Sequence, residues 1–129
     1  MAVFQSLPLN EQARQLRNPE GDVGIAVAEW LNQTNRQANH EAVELLHLGP
    51  RDYVLEIGFG NGRAVPDIVA QAAGVRYASI DISPTMVDEA TRFNAALVAG
   101  RRFVLVEAAG GGLEIWLGIP GRTRPPCRA

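Results

Sequence analysis

The chain has 129 residues, the size of one ordinary domain, and 47% of them are hydrophobic while 20% are charged. This composition is typical of a folded globular protein and excludes a disordered or fibrous chain. The formal net charge of −2 offers no attraction for a polyanion, so we predict no nucleic-acid binding through bulk charge.

The single cysteine and the short apolar runs exclude further classes of protein. Cys127 is the single cysteine, which excludes an internal disulfide framework, and the sequence shows no metal-ligand spacing. The apolar runs are too short to span a bilayer, and the N-terminus lacks the layout of a secretory signal. We therefore predict a cytoplasmic protein with no metal and no membrane span.

The N-terminal third is the least regular part of the chain. Residues 1–20 are polar and contain two prolines, so we interpret them as an irregular N-terminal arm. An apolar stripe after Gly21 predicts one helix, and a second helix is predicted at about 39–48, before Gly49-Pro50. Polar residues recur at helical spacing there, and we favour a solvated helix face over a pocket lining for them: Asn32, Asn35 and Asn39.

From residue 53, short apolar runs alternate with helical patterns. The predicted strands are 53–57, 75–81 and 102–107, and the predicted helices are 61–73 and 83–100. This β-α-β-α-β order predicts an α/β fold with parallel strands covered by helices on both faces. Right-handed crossovers would place the first strand in the middle of the growing sheet.

The pattern stops after Ala109. Residues 110–129 are rich in Gly, Pro and Arg, although an alternating stretch from Leu113 to Ile119 allows one additional strand. Our hypothesis is that this ending comes from a shifted reading frame or a gene remnant. We predict three segments: an N-terminal arm (1–20), a partial domain (21–109) and an irregular tail (110–129).

A glycine cluster follows the first predicted strand, in the run Glu56-Ile57-Gly58-Phe59-Gly60-Asn61-Gly62. Glycine lets a backbone turn sharply and approach a ligand closely, and the following helix supplies free N–H groups. A dinucleotide fingerprint would need its third glycine at position 63, which is Arg63. A carboxylate at the end of the second strand, Asp81, suits two vicinal ribose hydroxyls.

Glu56 to Gly62, together with Ile80-Asp81-Ile82-Ser83-Pro84, resembles the first two motifs of class I S-adenosylmethionine-dependent methyltransferases. The similar branch is that of ubiquinone/menaquinone-biosynthesis enzymes and the methyltransferase type 11 domain. The resemblance covers roughly residues 20–109, the N-terminal half of such a domain. It implies a Rossmann-like methyltransferase fold with sheet order 3-2-1-4-5-7-6, truncated after the third parallel strand. It also implies S-adenosylmethionine as cofactor and methyl transfer to an unidentified small-molecule acceptor.

The resemblance also implies roles for particular residues. Backbone at Gly58, Gly60 and nearby residues would surround the methionine moiety, and Glu56 would orient the loop or contact the amino group. Asp81 would hold the ribose. Ile82 and Met86 would pack against adenine, with ordinary core packing as the alternative for both. The full predicted cofactor-binding set is Glu56, Gly58, Phe59, Gly60, Asn61, Gly62, Asp81, Ile82 and Met86, and no catalytic residue is predicted.

Other residues and readings remain open. An acid that often meets the adenine amine in the family is replaced here by alanine after Glu107, so that contact would come from backbone. We interpret His40, His47 and the Arg101-Arg102 pair as solvated surface residues. A first strand without its usual neighbour would expose an apolar edge and favour self-association.

Three functional alternatives stay open beside the methyltransferase. They are a non-catalytic S-adenosylmethionine-binding remnant, a fragment of an NAD-type Rossmann oxidoreductase, and a structural subunit completed by a strand from a partner.

Overall fold

A computed structural model describes residues 2–107, with three parallel strands and seven helices in that part of the chain. The N-terminal helices are α1 (Ala2–Ser6), α2 (Leu9–Arg17), α3 (Gly21–Thr34) and α4 (Arg36–Leu45). The alternating part contains β1 (Tyr53–Ile57), α5 (Val65–Ala70), β2 (Arg76–Asp81), α6 (Pro84–Phe93), α7 (Ala95–Ala99) and β3 (Phe103–Glu107). The predicted tail and its alternating stretch lie outside the described residues.

The three strands form one parallel sheet in the order β1-β2-β3. The predicted strands are confirmed to within one residue at each end, because short apolar runs closed by polar or glycine residues set them clearly. Pairing places Val54, Tyr77 and Phe103 side by side on one face of the sheet. β2 is the central strand of the described sheet, whereas the sequence predicted β1 in the central position.

The helices that follow β1 and β2 cover the same face of the sheet. One buried cluster joins Tyr77 and Phe103 to residues of α5 and α6. The opposite face of β1 presents Tyr53, Leu55 and Ile57 to solvent. The prediction of helices on both faces is therefore wrong for the described part. Each strand is added on the same side of the previous one, from β1 to β3. Because both crossovers are right-handed and run in the same direction, both connections lie on one face of the sheet.

Aromatic side chains form the centre of the core. The Phe103 ring contacts Tyr77 and Phe59 edge-to-face, with ring centroids 5.1 Å and 6.3 Å apart. Such pairs contribute about 0.5–1.5 kcal/mol beyond the area that they bury. The remaining members of the buried cluster are Val65, Ile68, Val69, Val75 and Ala90. This packing anchors both connections that border the candidate site.

The N-terminal arm is helical, so the prediction of an irregular segment is wrong. Phe4 of α1 is buried, and α1 and α2 both contact α3. Pro8 precedes the first turn of α2, where a proline is tolerated, and the Gln15 side chain accepts a hydrogen bond from the Glu20 N–H at 2.9 Å. The polar composition concealed these helices because each buries only a narrow face.

Three helix boundaries also differ from the prediction, each for a local reason. The second helix covers Arg36–Leu45, and His47 follows it with a left-handed φ of 47°. Helix α5 begins only at Val65, because the glycine turn continues to residue 64. The predicted helix 83–100 is divided at Asn94, whose side chain bonds the Gly62 carbonyl instead of staying in solvent. Within residues 2–107, no helix combines the length and hydrophobicity that crossing a bilayer requires.

Candidate functional site

The glycine loop, residues 58–64, connects β1 to α5 and turns through the left-handed region of backbone space. Gly58 and Gly60 have φ values of 76° and 59°, which side-chain-bearing residues rarely adopt. A Cβ built on either glycine would meet nothing within 4 Å. Their need for glycine is thus conformational, and the space beside them is free for another molecule.

Gly62 has a different role. Its φ is 70°, and a Cβ at this position would lie 2.7 Å from the Ala90 Cβ and 2.9 Å from Nδ2 of Asn94. The Asn94 amide donates to the Gly62 carbonyl at 3.0 Å. Gly62 therefore permits close packing of the loop on α6, as glycines do where a backbone approaches a helix.

Asp81 joins the glycine loop to the end of β2. Its carboxylate accepts a hydrogen bond from the Gly60 N–H at 3.1 Å and another from the Ser83 N–H at 2.9 Å. The Gly58 N–H donates to the Ile80 carbonyl at 2.8 Å, so the two strand ends are held together twice. The loop and the carboxylate, separate in sequence, thus border the same space.

An open cavity of about 940 Å³ lies at this strand end and is bordered on its other side by α3 and α4. Its volume falls in the range of ligand pockets, roughly 300–1,000 Å³. Eight of the nine predicted site residues line it: Glu56, Gly58, Phe59, Gly60, Asn61, Asp81, Ile82 and Met86. Gly62, the ninth, is among the residues that pack the loop on α6.

The apolar residues of this set differ in how much they expose. Ile82 is 50% exposed and presents its side chain at the cavity. Phe59 belongs to the core, and Met86 is completely buried. For Met86 the core-packing alternative is therefore favoured, since a side chain without exposed surface has none to offer a ligand.

Glu56 is oriented by a neighbour on β2. The Tyr77 hydroxyl donates a hydrogen bond to Oε2 of Glu56, across the face that the helices cover. Burial, together with the adjacent Glu56 carboxylate, raises the pKa of Tyr77 well above its ordinary value. The phenol therefore remains a protonated donor, and the carboxylate keeps a fixed direction beside the cavity.

The polar residues of α3 and α4 border the cavity. Asn32, Asn35 and Asn39 all line it, and Asn35 and Asn39 are also exposed, so this polar face lines the open cavity while it stays in contact with solvent. The Asn32 amide donates to the Asn61 side-chain oxygen at 2.7 Å, and Nδ2 of Asn61 donates to Glu29 at 3.4 Å. Sequence reasoning missed Glu29, although its i,i+3 spacing from Asn32 places both on one helix face.

The other polar candidates have structural or surface positions. His40 lies 3.4 Å from the Glu44 carboxylate on the exposed side of α4. Arg102 donates to the carbonyls of Val69 and Val75, at 2.9 Å and 3.3 Å, so its interpretation as a solvated residue is wrong. Within residues 2–107, no three His, Cys, Asp or Glu side chains lie close enough to hold a metal ion.

Comparison with known proteins shows the fold. No protein-family model and no curated protein matches this sequence. A chain in the complex between the Haloferax volcanii Trm112 methyltransferase activator and a methyltransferase is similar at a TM-score of 0.58 and 18% identity, over 69% of this chain and 38% of that one. A SAM-dependent methyltransferase from Aquifex aeolicus is similar at a TM-score of 0.54 and 15% identity, over 70% and 50%.

These likenesses establish the architecture. The described strands and helices have the Rossmann-like α/β fold of S-adenosylmethionine-dependent methyltransferases, as the glycine motif indicated. The chain spans half or less of the length of each of the two solved structures.

Proposed function

We propose that this chain binds S-adenosylmethionine between the glycine loop and Asp81, as the cofactor-binding part of a methyltransferase with a small-molecule acceptor. The proposal depends above all on the hydrogen bond from the Gly60 N–H to the Asp81 carboxylate. That bond places the glycine loop and the Asp81 carboxylate, which can accept hydrogen bonds from hydroxyl groups, at one rim of the cavity. The fold shared with the Aquifex aeolicus enzyme supports the choice of cofactor.

The residues present suit the proposed cofactor. Open space at Gly58 and Gly60 leaves room for the methionine part against bare backbone. Asp81 accepts one N–H on each carboxylate oxygen, and a carboxylate offers about four acceptor sites, so capacity for two ribose hydroxyls remains. Ile82 offers apolar surface to adenine, while Phe59 and Met86 pack beneath the site.

The chain's own contribution would be to bind and orient. S-adenosylmethionine, when bound, supplies a methyl group already activated on a sulfonium. Tyr77 occupies Oε2 of Glu56, which leaves Oε1 to accept from the amino group, and the negative charge favours that cation. We assign no general acid or base, since holding the donor in line with its acceptor is the main requirement for methyl transfer.

Calorimetric titration of the purified chain with S-adenosylhomocysteine tests the proposal. Asp81→Asn keeps the size of the side chain but replaces one carboxylate oxygen with an NH2 group, which cannot accept a hydrogen bond. We therefore expect binding to weaken by about 1–3 kcal/mol. Asp88→Asn is the matched control, because Asp88 is an exposed residue on α6 away from the cavity. Equal affinity of the two variants would contradict the ribose role, provided urea unfolding shows both to be folded.

A titration with NADH and an assay for methyl transfer separate the alternatives. NADH binding without S-adenosylhomocysteine binding would favour the oxidoreductase reading. Binding without methyl transfer to any acceptor would favour the non-catalytic one. The small-molecule acceptor and the cytoplasmic location stay predictions.

A further inference from the structure

Helix α3 reaches the glycine loop through three polar side chains, which we name the Asn61 network: Glu29, Asn32 and Asn61. Asn61 is 4% exposed although it belongs to a loop. Its side-chain oxygen accepts from Nδ2 of Asn32 at 2.7 Å, and its own Nδ2 donates to Oε2 of Glu29 at 3.4 Å. The oxygen and the nitrogen of the buried Asn61 amide are thus both hydrogen-bonded to side chains of one helix.

The chemistry of the three groups fixes the direction of the Asn61 amide. An ionised carboxylate can only accept, so Nδ2 of Asn61 must face Glu29 and its oxygen must face Asn32. Glu29 also lies 3.5 Å from Nε of Arg63. That ion pair is about half exposed and contributes little stability by itself. The position of this ion pair is more important than its strength, because Arg63 follows Gly62 in the glycine loop and Glu29 belongs to α3.

A second attachment holds α3 at the other half of the site. The Ser83 hydroxyl donates to the Pro19 carbonyl, and the Gly21 N–H donates to Oγ1 of Thr85 at 3.2 Å. Ser83 also donates its N–H to Asp81. The helix is therefore fastened near the Asp81 carboxylate by its N-terminal end and to the glycine loop by its C-terminal half.

We propose that Glu29 and Asn32 are positioning residues, which act through Asn61 to hold the glycine loop in the conformation that receives the methionine part of the ligand. This inference rests on the proposed function and deepens it. Neither residue needs to touch the ligand. Loss of either side chain leaves the nitrogen or the oxygen of the Asn61 amide buried without its hydrogen-bond partner, and this favours other loop conformations.

A pair of ligands separates positioning from general stability. S-adenosylhomocysteine contains the methionine-derived part, whereas 5′-methylthioadenosine lacks the amino and carboxyl groups and keeps the ribose and adenine. We expect Glu29→Ala and Asn32→Ala to weaken S-adenosylhomocysteine binding roughly fivefold to tenfold and to change methylthioadenosine binding less than about twofold. Glu29→Gln, which still offers an acceptor oxygen, should recover most of the loss. Gln33→Ala is the control, since Gln33 is exposed beside Asn32 and outside the cavity lining.

Hydrogen exchange of the ligand-free chain provides the readout that is independent of binding. If the Asn61 network positions the loop, the amides of Gly60 and Gly62 exchange faster in Glu29→Ala and Asn32→Ala, while those of β2 do not. Unchanged loop exchange in both variants would overturn the inference, as would equal losses for the two ligands. Faster loop exchange in a chain that binds neither ligand would support the positioning role and contradict the proposed function instead.

Discussion

Three glycines of the same loop are required for different reasons. All three have positive φ, but only at Gly62 would a side chain meet other atoms closely. Gly58 and Gly60 border free space, and Gly60 also directs its N–H to Asp81. A ligand can therefore use the space at the first two glycines, whereas the third belongs to the packing of the loop on α6.

Alanine substitutions distinguish these reasons. We expect Gly62→Ala to lower the free energy of unfolding by about 2–4 kcal/mol, from left-handed strain together with overpacking against Ala90. Gly58→Ala should cost about 1–2 kcal/mol, since only the backbone strain applies. Urea unfolding of the parent and both variants measures the difference. A Gly58→Ala loss as large as that of Gly62→Ala would contradict the open space at Gly58.

At the scale of elements, hydrogen bonds at helix and strand ends determine the shape of the site. Ser83 caps α6, because its Oγ accepts from the Met86 N–H at 3.1 Å. The same hydroxyl holds the N-terminal segment through Pro19. Across the sheet, the Tyr77 hydroxyl of β2 holds the Glu56 carboxylate of β1. Each contact links an element to the cavity rim.

The Tyr77–Glu56 contact between strands makes stability depend on alkaline pH. The pKa of Tyr77 is raised in the folded state, so the folded chain keeps a proton that the unfolded chain releases above about pH 10. The contribution of this contact to stability is complete below about pH 10 and decreases steadily as the pH rises above it toward the raised pKa of the folded state. We expect a loss of about 1.4 kcal/mol by pH 11, measured by urea unfolding, because one pH unit corresponds to about 1.36 kcal/mol.

Two variants control this experiment. Tyr77→Phe should remove most of the alkaline loss, and Tyr53→Phe should leave it in place because Tyr53 is exposed. The chain contains no lysine, so few other groups titrate between pH 9 and 11. An alkaline loss that persists unchanged in Tyr77→Phe would show that another group is responsible.

At the scale of the whole molecule, the described part is a sheet with its helices on one side. Strand β1 pairs only with β2 among the described residues, so its other edge presents backbone donors and acceptors. Ile57, on the face of β1 opposite the buried cluster, is 71% exposed. Unpaired apolar edges favour association with another chain.

We expect the 129-residue chain to self-associate through this edge. Sedimentation velocity at increasing concentration should show growing species, and Leu55→Lys should shift the distribution toward monomer, because edge lysines oppose strand pairing. Leu45→Lys is the control, a leucine on α4 that is more exposed than Leu55, 73% against 43%. Equal effects of the two lysines would indicate general solubility rather than pairing at β1.

The sequence by itself determined the strands, their parallel direction and the two segments that meet at the site. Gly58, Gly60 and Asp81 were identified because short-range patterns encode turns and strand ends directly. Only the tertiary structure decided that Gly62 packs on α6, that the N-terminal arm is helical, and that Asn32 faces the cavity. Those features depend on contacts between residues far apart in the chain, such as the 29 positions between Asn32 and Asn61, and local periodicity carries no information about such contacts.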